Sequence, residues 1–188
     1  MSEPEVIDID HNGQTLRVII TPINRTVSDR RSERERLIVN RIISTYINSE
    51  ARLAHAPSGR PLLENADGLH ISISHSADYV AVVFGPIEGI GIDVEQPRAQ
   101  LARVAPRVLS AAEMAVYGRS ERLLLKAWTL KEALYKAALT EGVDFRCDIT
   151  LPLSPDDTRA TVCGRSFDII YIDENPERTI TLVAAHNT

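Results

Sequence analysis

The sequence predicts an α+β protein made of two related halves. Three observations carry that expectation. Elements run β-α-β-β-β and then α-α-β-β-β along the chain. Three strand-like runs between residues 69 and 95 have short connections, which implies a meander and a largely antiparallel sheet. A length of 188 residues suits one compact domain or two small halves. The halves are drawn at 1–84 and 85–188.

Each element has its own warrant. Residues 15–21 (TLRVIIT) form a strand rich in β-branched side chains. Residues 28–48 carry apolar positions at helical spacing, with Arg30, Arg31, Arg34 and Arg36 in the first turns. Residues 55–68 are expected to be a loop broken by Pro57, Gly59, Pro61 and Gly68. Strands follow at 69–74, 78–84 and 89–95. Residues 97–109 are expected to be a loop or irregular helix containing Arg98, Arg103 and Arg107 and no acid. Ser110 and Glu113 have capping-box spacing, so a helix starts there and stops near Gly118. A second helix should run from about Ser120 to Thr140 and be ended by Gly142. The tail, 146–186, reads as strands broken by prolines and a glycine.

Composition narrows the function. Apolar residues make up 44% and charged residues 25%, ordinary values for a soluble globular protein. A net charge of −5 argues against a nucleic-acid binder, which needs a basic field to replace phosphate counterions. No apolar run approaches the roughly 18 residues of a membrane span. The acidic N-terminal stretch has no signal-peptide core, so the expected location is the cytoplasm. Cys147 and Cys163 lack ligand spacing and are expected to be reduced thiols. Of the 21 basic residues only three are lysines, and Lys126, Lys131 and Lys136 all fall in one short stretch.

Three pieces carry chemistry. Asp93 and Glu95, two apart on a strand, leave from the same face. They follow a Gly-Ile-Gly-Ile run, which suggests a closely approached strand delivering two carboxylates suited to a hard cation. Trp128, Glu132 and Lys136 stand at i, i+4 and i+8 and share a helix face; an i,i+4 ion pair alone would also explain the last two. Gly59-Arg60-Pro61 is followed by Ser74-His75-Ser76, where a hydroxyl and an imidazole at a strand end can donate to phosphate oxygens. A Ser-His hydrolase is disfavoured, because no Gly-x-Ser-x-Gly elbow and no evident orienting acid accompany them.

Together, Gly-Arg-Pro, Ser-Ile-Ser-His-Ser, Gly-Ile-Asp93-Val-Glu95 and Trp-Thr-Leu-Lys131-Glu132-Ala-Leu-Tyr-Lys136 resemble the 4′-phosphopantetheinyl transferases of the Sfp type. Order and spacing match from about residue 59 to 137. The resemblance implies a pseudo-twofold pair of similar α+β halves with the active site in the cleft between them. It implies transfer of phosphopantetheine from coenzyme A to a serine of an apo acyl or peptidyl carrier protein, with release of 3′,5′-ADP. By motif position, Asp93, Glu95 and Glu132 would bind Mg²⁺. Arg60, Ser74, His75 and Lys136 would contact coenzyme A phosphates. Lys131 would assist the phosphate or the proton transfer, and the base is Glu132, directly or through water, or Lys131.

Arg60 stands where the family often has lysine, which keeps the charge and changes the geometry. Arg30, Arg31 and Ser32 are candidates for the 3′-phosphate without a motif match. Carriers of this kind are typically acidic, as the resemblance implies, so Arg98, Arg103 and Arg107 are expected to steer one. The expected protein is a monomer. The alternative is a non-catalytic homologue that binds coenzyme A and a carrier; a third reading, hydrolysis of coenzyme A or an ester, would need no carrier.

Overall fold

The computed structural model describes residues 3–23 and 31–186. It is a mixed α+β structure, and its contacts divide it into two compact units, one ending at Ile87 and the other beginning at Glu88. The expected helix start at 28–30, and with it Arg30, lies outside the described residues, as does the side chain of Arg31.

In the first unit, strands β1 (Glu5–His11), β2 (Gln14–Pro22), β5 (His70–His75) and β6 (Tyr79–Gly85) form an antiparallel sheet in the order β1-β2-β6-β5. Strand β1 was not anticipated. Its hairpin turns on Asn12-Gly13, both at positive φ (54° and 77°), with His11 opposite Gln14. That is the turn whose twist matches paired strands, and the Asn-Gly dipeptide is its sequence signal. Arg17 grips Asp8 across the hairpin with two hydrogen bonds of 2.6 and 2.7 Å. Helix α1 (Arg31–Tyr46) presents Val39, Ile42 and Ile43 to a core that includes Ile19, Val80 and Val82.

The expected loop at 55–68 contains structure. Strands β3 (Arg52–His55) and β4 (Pro61–Glu64) pair as a hairpin. Of the residues expected to break the chain, Pro57 and Gly59 lie in its turn, where the Ala56 and Gly59 amides donate to the Arg60 and Ala56 carbonyls at 2.9 and 2.8 Å. Pro61 fits because it opens a strand of a two-stranded sheet, where a missing N–H is tolerated.

The expected meander is corrected. Strand β7 (Ile90–Glu95) does not pair with β6; its neighbour is β11 (Thr179–Ala185). It edges the second unit's antiparallel sheet, ordered β7-β11-β10-β9-β8, with β8 (Ile149–Thr150), β9 (Arg159–Val162) and β10 (Arg165–Glu174). Residues 97–109 contain a helix, α2 (Leu101–Val108), despite Pro106 within it. Helix α3 (Ala111–Tyr117) begins with the Ser110–Glu113 capping box, both hydrogen bonds present, and ends at Gly118. Helix α4 (Glu121–Ala137) stops three residues before the expected Thr140, and Leu139 follows it in the left-handed region. Leu130, Leu134, Phe167 and Val183 lie in this unit's core. Both cysteines are free and exposed. Among the described residues, no helix is long and apolar enough to cross a membrane.

Candidate active site

Gly91, Asp93 and Glu95 alternate onto one face of β7, opposite Val183, Thr181 and Thr179 of β11. That face lies under α4. A Cβ on Gly91 would overlap the Ala133 carbonyl oxygen and crowd Ala137. The glycine therefore lets a helix backbone rest directly on the strand. The contact also fixes what meets the carboxylates, since Glu132 and Lys136 flank Ala133 and Ala137 on α4.

Asp93 is 6% exposed. Its Oδ1 accepts from Lys136 Nζ at 2.7 Å, and the same ammonium donates to the Ile92 carbonyl at 3.0 Å. Glu95 Oε2 pairs with Arg98 at 2.7 Å, and its Oε1 accepts from the Gln96 amide at 3.0 Å. The Arg98 guanidinium carbon lies 5.5 Å from the centre of the Trp128 ring. Glu132 completes the group. Burial pushes its carboxyl above the ordinary range; Asp93 and Glu95 add to that, while Lys136 and Arg98 oppose it. The shared face of Trp128, Glu132 and Lys136 is thus turned to β7.

Three carboxylates meet two tethered cations here, an excess of negative charge in a sheltered place. Among the described residues, no three His, Cys, Asp or Glu side chains stand arranged to hold a metal ion. Asp93 and Glu95 are turned instead to Lys136 and Arg98. The donor set itself fits a hard dication: oxygen ligands only, with Asp93 and Glu95 near enough to add to the upward push that burial gives the Glu132 carboxyl.

Lys131 is placed elsewhere. It is fully buried, and its Nζ lies 2.7 Å from the Phe145 carbonyl, 2.7 Å from the Ile149 carbonyl and 3.0 Å from Glu113 Oε1. Burial lowers its pKa, with the Glu113 hydrogen bond working against that. Three acceptors match its three hydrogens, so none is left for a phosphate or a substrate proton. The expected part of Lys131 in the transfer finds no support in this placement. The three lysines each meet a different carboxylate: Lys126 meets Glu174 at 3.0 Å, Lys131 meets Glu113 and Lys136 meets Asp93. A spacing of five turns each about 140° from the last, which is why one helix serves three neighbours.

In the first unit, Arg60 directly precedes β4, at the end of the hairpin turn. Ser74 and His75 end β5 on opposite faces. Ser74 is 5% exposed. His75 is exposed, with Nδ1 3.5 Å from Glu35 Oε1 of α1. Neither Glu35 nor the Lys131–Glu113 pair was found as a functional partner from the sequence. Glu113 was legible only as a helix cap, because partners 18 residues apart leave no local pattern. Of the three steering candidates, Arg103 and Arg107 are exposed one turn apart on α2, while Arg98 is engaged with Glu95 and Trp128.

A family model for the 4′-phosphopantetheinyl transferase superfamily matches residues 89–185, just over half of the chain. The match spans β7, the three helices of the second unit and all of its remaining strands, and so takes in the whole carboxylate group. The chain belongs to the 4′-phosphopantetheinyl transferase superfamily. Its chemistry is in general the transfer of phosphopantetheine, with coenzyme A and a carrier protein as partners. No curated protein matches the chain.

Proposed function

We propose that this chain is an Sfp-type transferase. It moves 4′-phosphopantetheine from coenzyme A to a serine of an apo acyl or peptidyl carrier, acting as a cytoplasmic monomer. The observation that carries this reading is the gathering of Asp93, Glu95 and Glu132 with Lys136 on one strand and one helix face. Asp93, Glu95 and Glu132 would hold Mg²⁺, which when bound supplies positive charge to the pyrophosphate.

In the transfer, the serine Oγ forms a bond to the phosphorus that carries the pantetheine arm. The bond from that phosphorus to the bridging oxygen breaks, and 3′,5′-ADP leaves. Phosphoryl transfer of this kind is mostly positioning and electrostatic stabilisation. Lys136 steadies the charge of the leaving phosphate, and Arg60, Ser74 and His75 hold phosphates of coenzyme A from the first unit. Glu132 takes the serine proton on its carboxylate. Arg103 and Arg107 draw in an acidic carrier.

The test is the release of 3′,5′-ADP from coenzyme A and Mg²⁺ with and without apo carrier. Release that requires carrier supports the transfer. Release without carrier would favour hydrolysis, and none with any carrier would favour the non-catalytic homologue.

A further inference from the structure

Burying Lys131 and Glu113 together is costly. A buried ion pair seldom repays its desolvation, and an apolar pair of similar volume is often as stable. Yet every oxygen and hydrogen of this pair is employed. Glu113 Oε2 accepts from the Ser110 amide at 2.7 Å, and Oε1 accepts from the Leu151 amide at 2.8 Å while facing Lys131. Lys131 ties α4 to the carbonyls of Phe145 and Ile149. The pair joins the start of α3, the middle of α4 and the segment entering β8.

We propose that Lys131 is a positioning residue: held by Glu113, Phe145 and Ile149, it fixes the roll of α4 so that Glu132 and Lys136 face β7. This rests on the reading that Asp93, Glu95 and Glu132 hold a divalent cation. Geometry gives the reason a lock is needed. The residues of α4 that touch β7 at its closest approach are Ala133 and Ala137, against Gly91. Such small surfaces interlock little on that side, so the roll of α4 is set on its core side, where Leu130, Leu134 and Lys131 are buried. On that same sheet-facing side, one turn before Ala133, Thr129 Oγ1 meets Thr181 Oγ1 at 2.8 Å. Lys131, two residues on, projects roughly 200° further round. The two contacts therefore hold α4 from opposite sides. A roll of about 20° would carry a side-chain tip 5–6 Å from the axis through about 2 Å. Metal–ligand distances tolerate about 0.2 Å.

The experiment uses the full chain and Mn²⁺ as the probe, counted by electron paramagnetic resonance, with melting temperature measured alongside. Lys131→Met/Glu113→Gln removes the lock without leaving a lone buried charge. It is expected to stay folded and to bind Mn²⁺ about tenfold more weakly, the usual scale for losing an outer partner of a metal site. Lys131→Met alone leaves Glu113 the Ser110 and Leu151 amides as donors and is expected to weaken Mn²⁺ in the same direction. A folded double variant with wild-type Mn²⁺ affinity would overturn the proposal. If the double variant does not fold, Lys131→Met decides: unchanged affinity in a folded protein overturns it, weakened affinity supports it. A wild-type protein that binds no Mn²⁺ would remove the metal reading, and the positioning proposal with it.

Discussion

Lys136 Nζ donates to Asp93 Oδ1 at 2.7 Å, so an ammonium stands against a carboxylate assigned to the metal. A dication at Asp93 must share that carboxylate with the ammonium or displace it. Lys136→Met is therefore expected to tighten Mn²⁺ binding in the absence of coenzyme A, by about threefold or more, since a like charge is taken from its side. The same variant should raise KM for coenzyme A. Titration of Mn²⁺ together with steady-state kinetics checks both, and weaker Mn²⁺ binding would contradict the account.

Gly91→Ala tests the close approach. The new methyl group would overlap the Ala133 carbonyl, and backbone cannot swing away as a side-chain end can. Overpacking of this sort costs about 1–3 kcal/mol. Urea unfolding should give a loss in that range, and the lifted helix should weaken metal binding as well. Wild-type stability would mean that α4 is not seated on β7 as described.

Tyr117 gives the pH dependence its clearest sign. Its hydroxyl donates to the Pro152 carbonyl at 2.8 Å. Burial, helped by Glu113 and Asp157, pushes its pKa up from 10.0 to about 12. The folded state thus keeps a proton that the unfolded chain loses. The contribution of this group is fully present below pH 10 and falls as pH rises towards 12, by about 3 kcal/mol over the whole window. Tyr117→Phe should be about 1 kcal/mol less stable than wild type at pH 7 for loss of the hydrogen bond. That deficit should shrink as pH climbs past 10. A deficit that stays constant to pH 11 would contradict the burial of this hydroxyl.

Arg103 and Arg107 project into solvent one turn apart, on a helix with no acid in its first turn. Reversing both charges should raise KM for an acidic carrier, most at low salt, and leave KM for coenzyme A unchanged. A carrier KM that does not move at low salt would remove these residues from docking.

How much of this was legible depended on range. The Ser110–Glu113 cap, the alternation of Asp93 and Glu95, and the shared face of Trp128, Glu132 and Lys136 are local patterns, and each stands where its spacing puts it. The partner of β7 is not a local fact. Residues 78–95 look like consecutive neighbours, but β7 pairs with β11, which begins at Thr179. At the end of β6, a Cβ on Gly85 would overlap the Leu16 side chain, so that strand is already pressed against β2. The placement of Lys131 is hidden for a related reason. Its neighbour in sequence is a proposed metal ligand, but one step along a helix is about 100° of rotation, enough to turn it from the site into the core. Strand β1 has a local signal, the Asn12-Gly13 turn, but Asp8 and Asp10 give its run an acidic character that the apolar strands lack.

The most direct test is the intact mass of an apo carrier incubated with this protein, coenzyme A and Mg²⁺, beside reactions with EDTA or with Asp93→Ala. The account predicts a gain of one phosphopantetheine, absent from both controls. A carrier of unchanged mass across acyl, peptidyl and aryl types, or a full gain with Asp93→Ala, would contradict it.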